Sequence, residues 1–138
     1  MDPLDFIKTA NNLKNSREES DRRSSVSRAY YAVFNYVKLY LESCGINIPK
    51  DSSAHIKIPI YLKNSGLQNA KQVGKSVGDL KDNRIDADYK MNLSWPNSKD
   101  CIFIVLKAEL AIKDFDSCKG TALINGIRQY QKIDRGII

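Results

Sequence analysis

The chain has one histidine, His55, and three cysteines, Cys44, Cys101 and Cys118, in 138 residues. A single imidazole rules out a two-histidine metal motif within one chain. An odd cysteine count without a C-x-x-C pair fits neither a disulfide framework nor a zinc site. No metal and no cofactor is therefore expected, and the thiols read as buried and free. Glycine is sparse, and none of the seven builds a phosphate-cradling loop. The longest unbroken apolar run, Cys101 to Leu106, is far short of the roughly 20 residues that cross a bilayer. No membrane segment is expected. The opening Met-Asp-Pro-Leu-Asp lacks the basic-then-apolar pattern of an export signal, which makes the cytoplasm the default location. Strand-type alternation and internal repeats are missing as well.

What is present is the composition of one folded domain. Hydrophobic residues at 42% and charged residues at 28% lie near the averages for globular chains and far from those of disordered ones. The formal net charge of +6 favours an anionic partner. Part of that charge sits late in the chain, where Lys119, Arg128, Lys132 and Arg135 face only Asp134. Residues 119–138 therefore read either as anion-binding surface or as a solvated basic tail on a bundle spanning 1–118.

Periodicity predicts helices throughout. Asp2 and Pro3 start a first helix that ends near Asn15. A second begins between Ser20 and Ser24 and runs to Ser43, with Gly45 as its stop. Its core stripe is Val26, Ala29, Tyr30, Val33, Val37, Tyr40 and Leu41. Asp51 or Ser52 caps a short element that Pro59 is expected to interrupt within about two turns. From Asn69 the spacing Ala70, Val73, Val77, Leu80 is helical again. After Trp95-Pro96, Asn97 or Ser98 caps a buried helix running to about Phe115. The fold class is all-α, an up-and-down bundle of four to five helices.

One feature resists a purely structural reading. Arg84 falls where the stripe Val73, Val77, Leu80 predicts a core position, with Asp88 one turn onward as its partner. The pair either seals the bundle or marks a site. On the second helix, Ser24, Arg28, Tyr31 and Asn35 make a polar line opposite the core stripe. That line is either solvated or, given the aromatic Tyr31, a contact surface or pocket wall.

The run Arg23-Ser24-Ser25-Val26-Ser27-Arg28-Ala29-Tyr30-Tyr31-Ala32-Val33-Phe34 closely resembles the second-helix signature of HEPN domains. The run Arg84-Ile85-Asp86-Ala87-Asp88-Tyr89 is similar to their second motif, with His55 between the two. The resemblance covers roughly residues 4 to 118. It implies a dimerising four- to five-helix bundle, either a metal-independent endoribonuclease or a degenerate, nucleotide-binding descendant. Some relatives are toxins paired with a nucleotidyltransferase-type antitoxin. Active members use an arginine and, four to six residues on, a histidine, at a cleft between two protomers.

Here Arg84 matches the arginine, but Tyr89 stands where a four-residue spacer would put the histidine, and Asn35 stands where some relatives have another. Cleavage of RNA by its own 2′-hydroxyl needs a group that exchanges protons near neutral pH. Imidazole does this, whereas a phenol, ionising near about pH 10, is poorly matched. The catalytic candidates are thus Arg84, Tyr89 and His55, and the RNA- or nucleotide-binding candidates are Arg84, Asp88, Arg28, Tyr31 and Asn35. The first expectation is a homodimer binding RNA or nucleotide at an Arg84 cleft without efficient catalysis, in a toxin-antitoxin, defence or regulatory setting. The alternatives are an active endoribonuclease and a plain helical adaptor for a protein partner. Arg84 and Tyr89 lie about 140° apart on an ideal helix, so both are expected to face one ligand only if the helix ends or bends between them.

Overall fold

The computed structural model describes residues 1–136. Six helices follow one another: α1 (Leu4–Leu13), α2 (Glu19–Ser43), α3 (Ala54–Lys63), α4 (Gln68–Tyr89), α5 (Ser98–Cys118) and α6 (Thr121–Asp134). No strand occurs among the described residues, and the fold is the expected all-α bundle with one more helix than foreseen. No helix is long and apolar enough to cross a membrane among those residues.

α2 is the central element, packed against α1, α4 and α5. Its stripe Val26, Ala29, Tyr30, Val33, Val37 and Leu41 is fully buried. The Ile46 amide returning to the Leu41 carbonyl at 3.0 Å closes the helix at Gly45. α1 begins with the Asp2 carboxylate accepting from the Leu4 amide at 2.9 Å. It lies close on α2 because Ala10 is small and buried, and its carbonyl accepts from the Ser25 hydroxyl at 2.7 Å. α5 starts with a reciprocal capping box, Asn97 accepting from the Asp100 amide at 2.8 Å and Asp100 from the Asn97 amide at 3.0 Å.

Three expectations need correction. Pro59 does not interrupt its element: α3 continues through it to Lys63. Pro59 is the sixth of the ten residues and forgoes the bond back to the His55 carbonyl, and burial of Ile58, Pro59, Tyr61 and Leu62 offsets that loss. Residues 121–134, expected as tail, are helical and bury Leu123, Ile124 and Ile127. Hydrophobic burial fixes them to the bundle while their lysines and arginines keep to its outside. α5, expected as a buried helix, leaves Ile102, Phe103, Leu106 and Leu110 at 43%, 77%, 51% and 50% exposure. Its opposite side, including Cys101, Val105, Ala108 and Phe115, fills the core.

The docking of α6 depends on Gly126. A Cβ there would lie 1.8 Å from the Ser65 carbonyl oxygen, so α6 and the α3–α4 turn meet backbone to backbone. Gly126→Ala raises helix propensity by about 1 kcal/mol, yet it is expected to lower stability by about 1–3 kcal/mol because the backbone has to separate. Urea denaturation measures this, and a stabilised variant would show that α6 does not seat against Ser65.

Candidate functional site

The turn of α2 that carries Tyr30 and Tyr31 faces the last two turns of α4 and the first turn of α3. Arg84 enters this space from α4 with its side chain only 11% exposed. Its guanidinium carbon lies 5.6 Å from the Tyr30 ring centre, 5.4 Å from Tyr31 and 5.9 Å from Tyr89. These are cation–π distances. The nearest carboxylate oxygen, Asp88 Oδ2, stands at 3.8 Å from Nη1, too long for a hydrogen bond, and also accepts from the Ser27 hydroxyl at 3.2 Å. Arg84 Nε is buried without any acceptor, and the guanidinium makes no hydrogen bond among the described residues.

Arg23 shows what a satisfied buried arginine looks like in the same chain. Its Nε donates to Glu19 at 3.1 Å, and Nη1 and Nη2 donate to the carbonyls of Asp86, Ala87, Lys90 and Leu93. Those carbonyls lie at and just beyond the end of α4, where the helix leaves acceptors unpaired. Arg23 thereby closes the helix that presents Arg84, Asp88 and Tyr89.

His55, from the first turn of α3, belongs to the same cluster. Its ring stacks on Phe34 at 4.2 Å and meets Tyr30 and Tyr31 at 5.7 and 6.0 Å. Nδ1 is 2.6 Å from the Tyr30 hydroxyl. Burial holds the Tyr30 phenol well above its ordinary pKa, so it stays protonated and is suited to donate to Nδ1, leaving the second ring nitrogen with the proton. Burial and then the charges of Arg84, Lys81 and Lys38 depress the imidazole pKa. His55 is therefore neutral near pH 7.

The remaining candidates divide. Arg28 lays its guanidinium 4.6 Å from the Phe6 ring and 5.3 Å from Tyr31, so two arginines share the Tyr31 aromatic surface. Asn35 instead donates its amide to the Tyr31 carbonyl at 2.9 Å, back onto its own helix. Tyr89 is 69% exposed at the end of α4, which does not end or bend between it and Arg84. The Tyr89 ring centre nevertheless lies 5.9 Å from the Arg84 guanidinium carbon along the unbroken helix. Lys38 and Lys81 escaped the sequence reading. Both were legible as continuations, Lys38 three residues after Asn35 and Lys81 three before Arg84. Neither forms an ion pair among the described residues. No cluster of candidate metal ligands occurs among those residues either.

An arginine without acceptors, aromatic faces and converging positive charge suit a phosphate-bearing ligand. The family model described as HEPN domain matches residues 5–114. The chain belongs to the HEPN family. No curated protein and no solved structure matches it. In this HEPN chain α6 lies beyond the matched region, whereas every residue of the Arg84 cluster lies within it.

The depressed imidazole pKa has a consequence for stability. The unfolded chain takes up a proton at His55 near the ordinary value of 6.5, whereas the folded chain does so only at lower pH. The neutral ring's contribution is complete above that value and is lost as pH falls through the folded pKa. His55→Phe, which keeps the stack on Phe34, is expected to lose less stability than the parent between about pH 7 and about pH 5. Equal pH slopes in denaturant titrations would mean that the ring titrates normally.

Proposed function

We propose that this HEPN chain binds RNA or a nucleotide through Arg84 as a homodimer, without efficient catalysis, in a toxin-antitoxin, defence or regulatory system. A nucleotidyltransferase-type protein is the candidate partner in the toxin-antitoxin setting. The observation that carries this reading is the orphaned guanidinium: Arg84 is nearly withdrawn from water, yet its Nε has no acceptor and its carboxylate neighbour stands at 3.8 Å. A phosphate oxygen at the Nη groups supplies an acceptor and the missing negative charge together, leaving Nε to the aromatic packing. Tyr31 and Tyr89 offer faces on which a base can stack, and Arg28, Lys38 and Lys81 extend the positive field for further phosphates. Asp88 in this reading holds Arg84 in place until the ligand arrives.

One observation favours the endoribonuclease alternative, namely that His55 sits against the same tyrosines as Arg84. An imidazole there is within the cluster even though it comes from α3 rather than from the α4 motif. Against efficient catalysis, its pKa is depressed, which makes it a poor proton donor at neutral pH, and its Nδ1 is engaged by Tyr30. RNA cleavage by the metal-free protein, abolished by His55→Ala, would favour the enzyme over the binder.

Arg84→Ala is expected to weaken binding of a short single-stranded RNA or a mononucleotide by about 1–3 kcal/mol, roughly 5- to 150-fold, with the fold retained. Fluorescence anisotropy and circular dichroism measure the two quantities. A variant that unfolds would identify Arg84 as a structural ion-pair residue. A folded variant that binds RNA as well as the parent would favour the adaptor.

A further inference from the structure

The five residues from Tyr89 to Leu93, at and just beyond the end of α4, line an open depression of about 480 Å³. Its shape follows from Arg23. That guanidinium draws in the carbonyls of Lys90 and Leu93 together with those of Asp86 and Ala87. The Met91 and Leu93 amides are used as well, donating to the Tyr89 and Lys90 carbonyls at 3.1 and 3.2 Å. With these polar groups occupied by one another and by Arg23, the side chains of Tyr89, Met91 and Leu93 are left exposed. Apolar side chains on a hydrogen-bonded loop make a surface that is formed before any ligand arrives.

We propose that this depression is a nucleobase subsite, which takes the purine base of the nucleotide whose phosphate lies on Arg84. This rests on the phosphate reading of Arg84 and says which part of the ligand lies next to it.

Tyr89 belongs to both places, since its ring centre is 5.9 Å from the Arg84 guanidinium carbon and its exposed surface walls the depression. A ribose bridges a gap of this size between a phosphate and the base it carries. Of the two tyrosines that offer a stacking face, Tyr89 is the more open, because both Arg28 and Arg84 lie over the Tyr31 ring. The one formal charge in the lining is paired: Lys90 Nζ is 2.8 Å from the Asp86 carboxylate. Such a lining suits a neutral ring system better than a further phosphate. An aromatic face beside the flexible Met91 suits stacking, and the volume falls within the range of small-ligand sites. Asn92 supplies the polar element, because its amide carries a donor and an acceptor side by side, the arrangement that reads the edge of a base. Stacking contact grows with ring area, which favours a purine over a pyrimidine.

The test titrates the full chain with ribose 5-phosphate, a pyrimidine nucleoside 5′-monophosphate and a purine nucleoside 5′-monophosphate, following binding by amide NMR. The purine nucleotide is expected to bind roughly 5- to 150-fold tighter than ribose 5-phosphate, the range for one base on one aromatic ring, with the pyrimidine between them. In a Met91→Ala, Asn92→Ala double variant, whose changes are both on exposed side chains, the ratio of those affinities is expected to fall toward unity with helicity retained. Equal affinities in the parent would overturn the base subsite and leave the phosphate reading of Arg84 in force. A purine advantage undiminished in the double variant would put the base elsewhere and overturn this pocket. A pyrimidine bound as tightly as the purine would overturn the purine preference. Failure of all three to bind would overturn the Arg84 reading itself, and the subsite with it.

Discussion

A guanidinium keeps its charge at any pH a protein survives, so a bundle that draws one out of water has to hold it with acceptors, opposite charge or aromatic faces. This chain solves the problem twice, in opposite ways. Arg23 uses every donor on the carbonyls at the end of α4 and on Glu19, and nothing further is asked of it. Arg84 is held by three tyrosine rings and a distant carboxylate, and its donors remain open. The first arginine makes the second possible, because it terminates the helix from which Arg84, Asp88 and Tyr89 project.

The cluster grows outward from this arrangement. Tyr30 belongs both to the core and to the Arg84 cluster: its ring is buried, and its hydroxyl fixes His55. Burial first, and then the positive charge of Arg84, Lys81 and Lys38, depress the His55 pKa, so a change in the charge of the cluster would be felt at one titratable ring. The close seat of α3 on α4 keeps that ring beside Phe34. Folding and the candidate chemistry therefore share side chains, and a substitution at Tyr30 would disturb both.

Much of this was readable in the sequence, and the omissions have physical causes. The helices α1, α2, α4 and α5 follow from apolar periodicity and capping residues, and Arg84 announced itself as a charge on a core stripe. α6 is hard to read because the basic residues spread over the last twenty positions, Lys119, Arg128, Lys132 and Arg135, suggest a solvated tail, although Leu123, Ile124 and Ile127 already make a short helical face. The full length of α3 is not legible because the cost of Pro59 is offset by tertiary burial of Ile58, Tyr61 and Leu62 that local spacing does not encode. The pairing of His55 with Tyr30 joins residues on different helices, and no local spacing encodes it. Lys38 and Lys81 look like any solvated lysine until the helices that carry them are brought together. The exposure of the stripe on α5 is not legible in the sequence, because periodicity reveals that a helix has apolar positions, not how many neighbours are present to cover them.

His55 is the chain's sole histidine, so its ring proton resonance reports the charge at the Arg84 cluster without interference. The measurement is its NMR titration, free and with saturating short single-stranded RNA. The midpoint is expected below the ordinary 6.5 in the free protein and is expected to move upward when bound phosphate offsets the surrounding cations. A midpoint at the ordinary value that RNA leaves unmoved would contradict it.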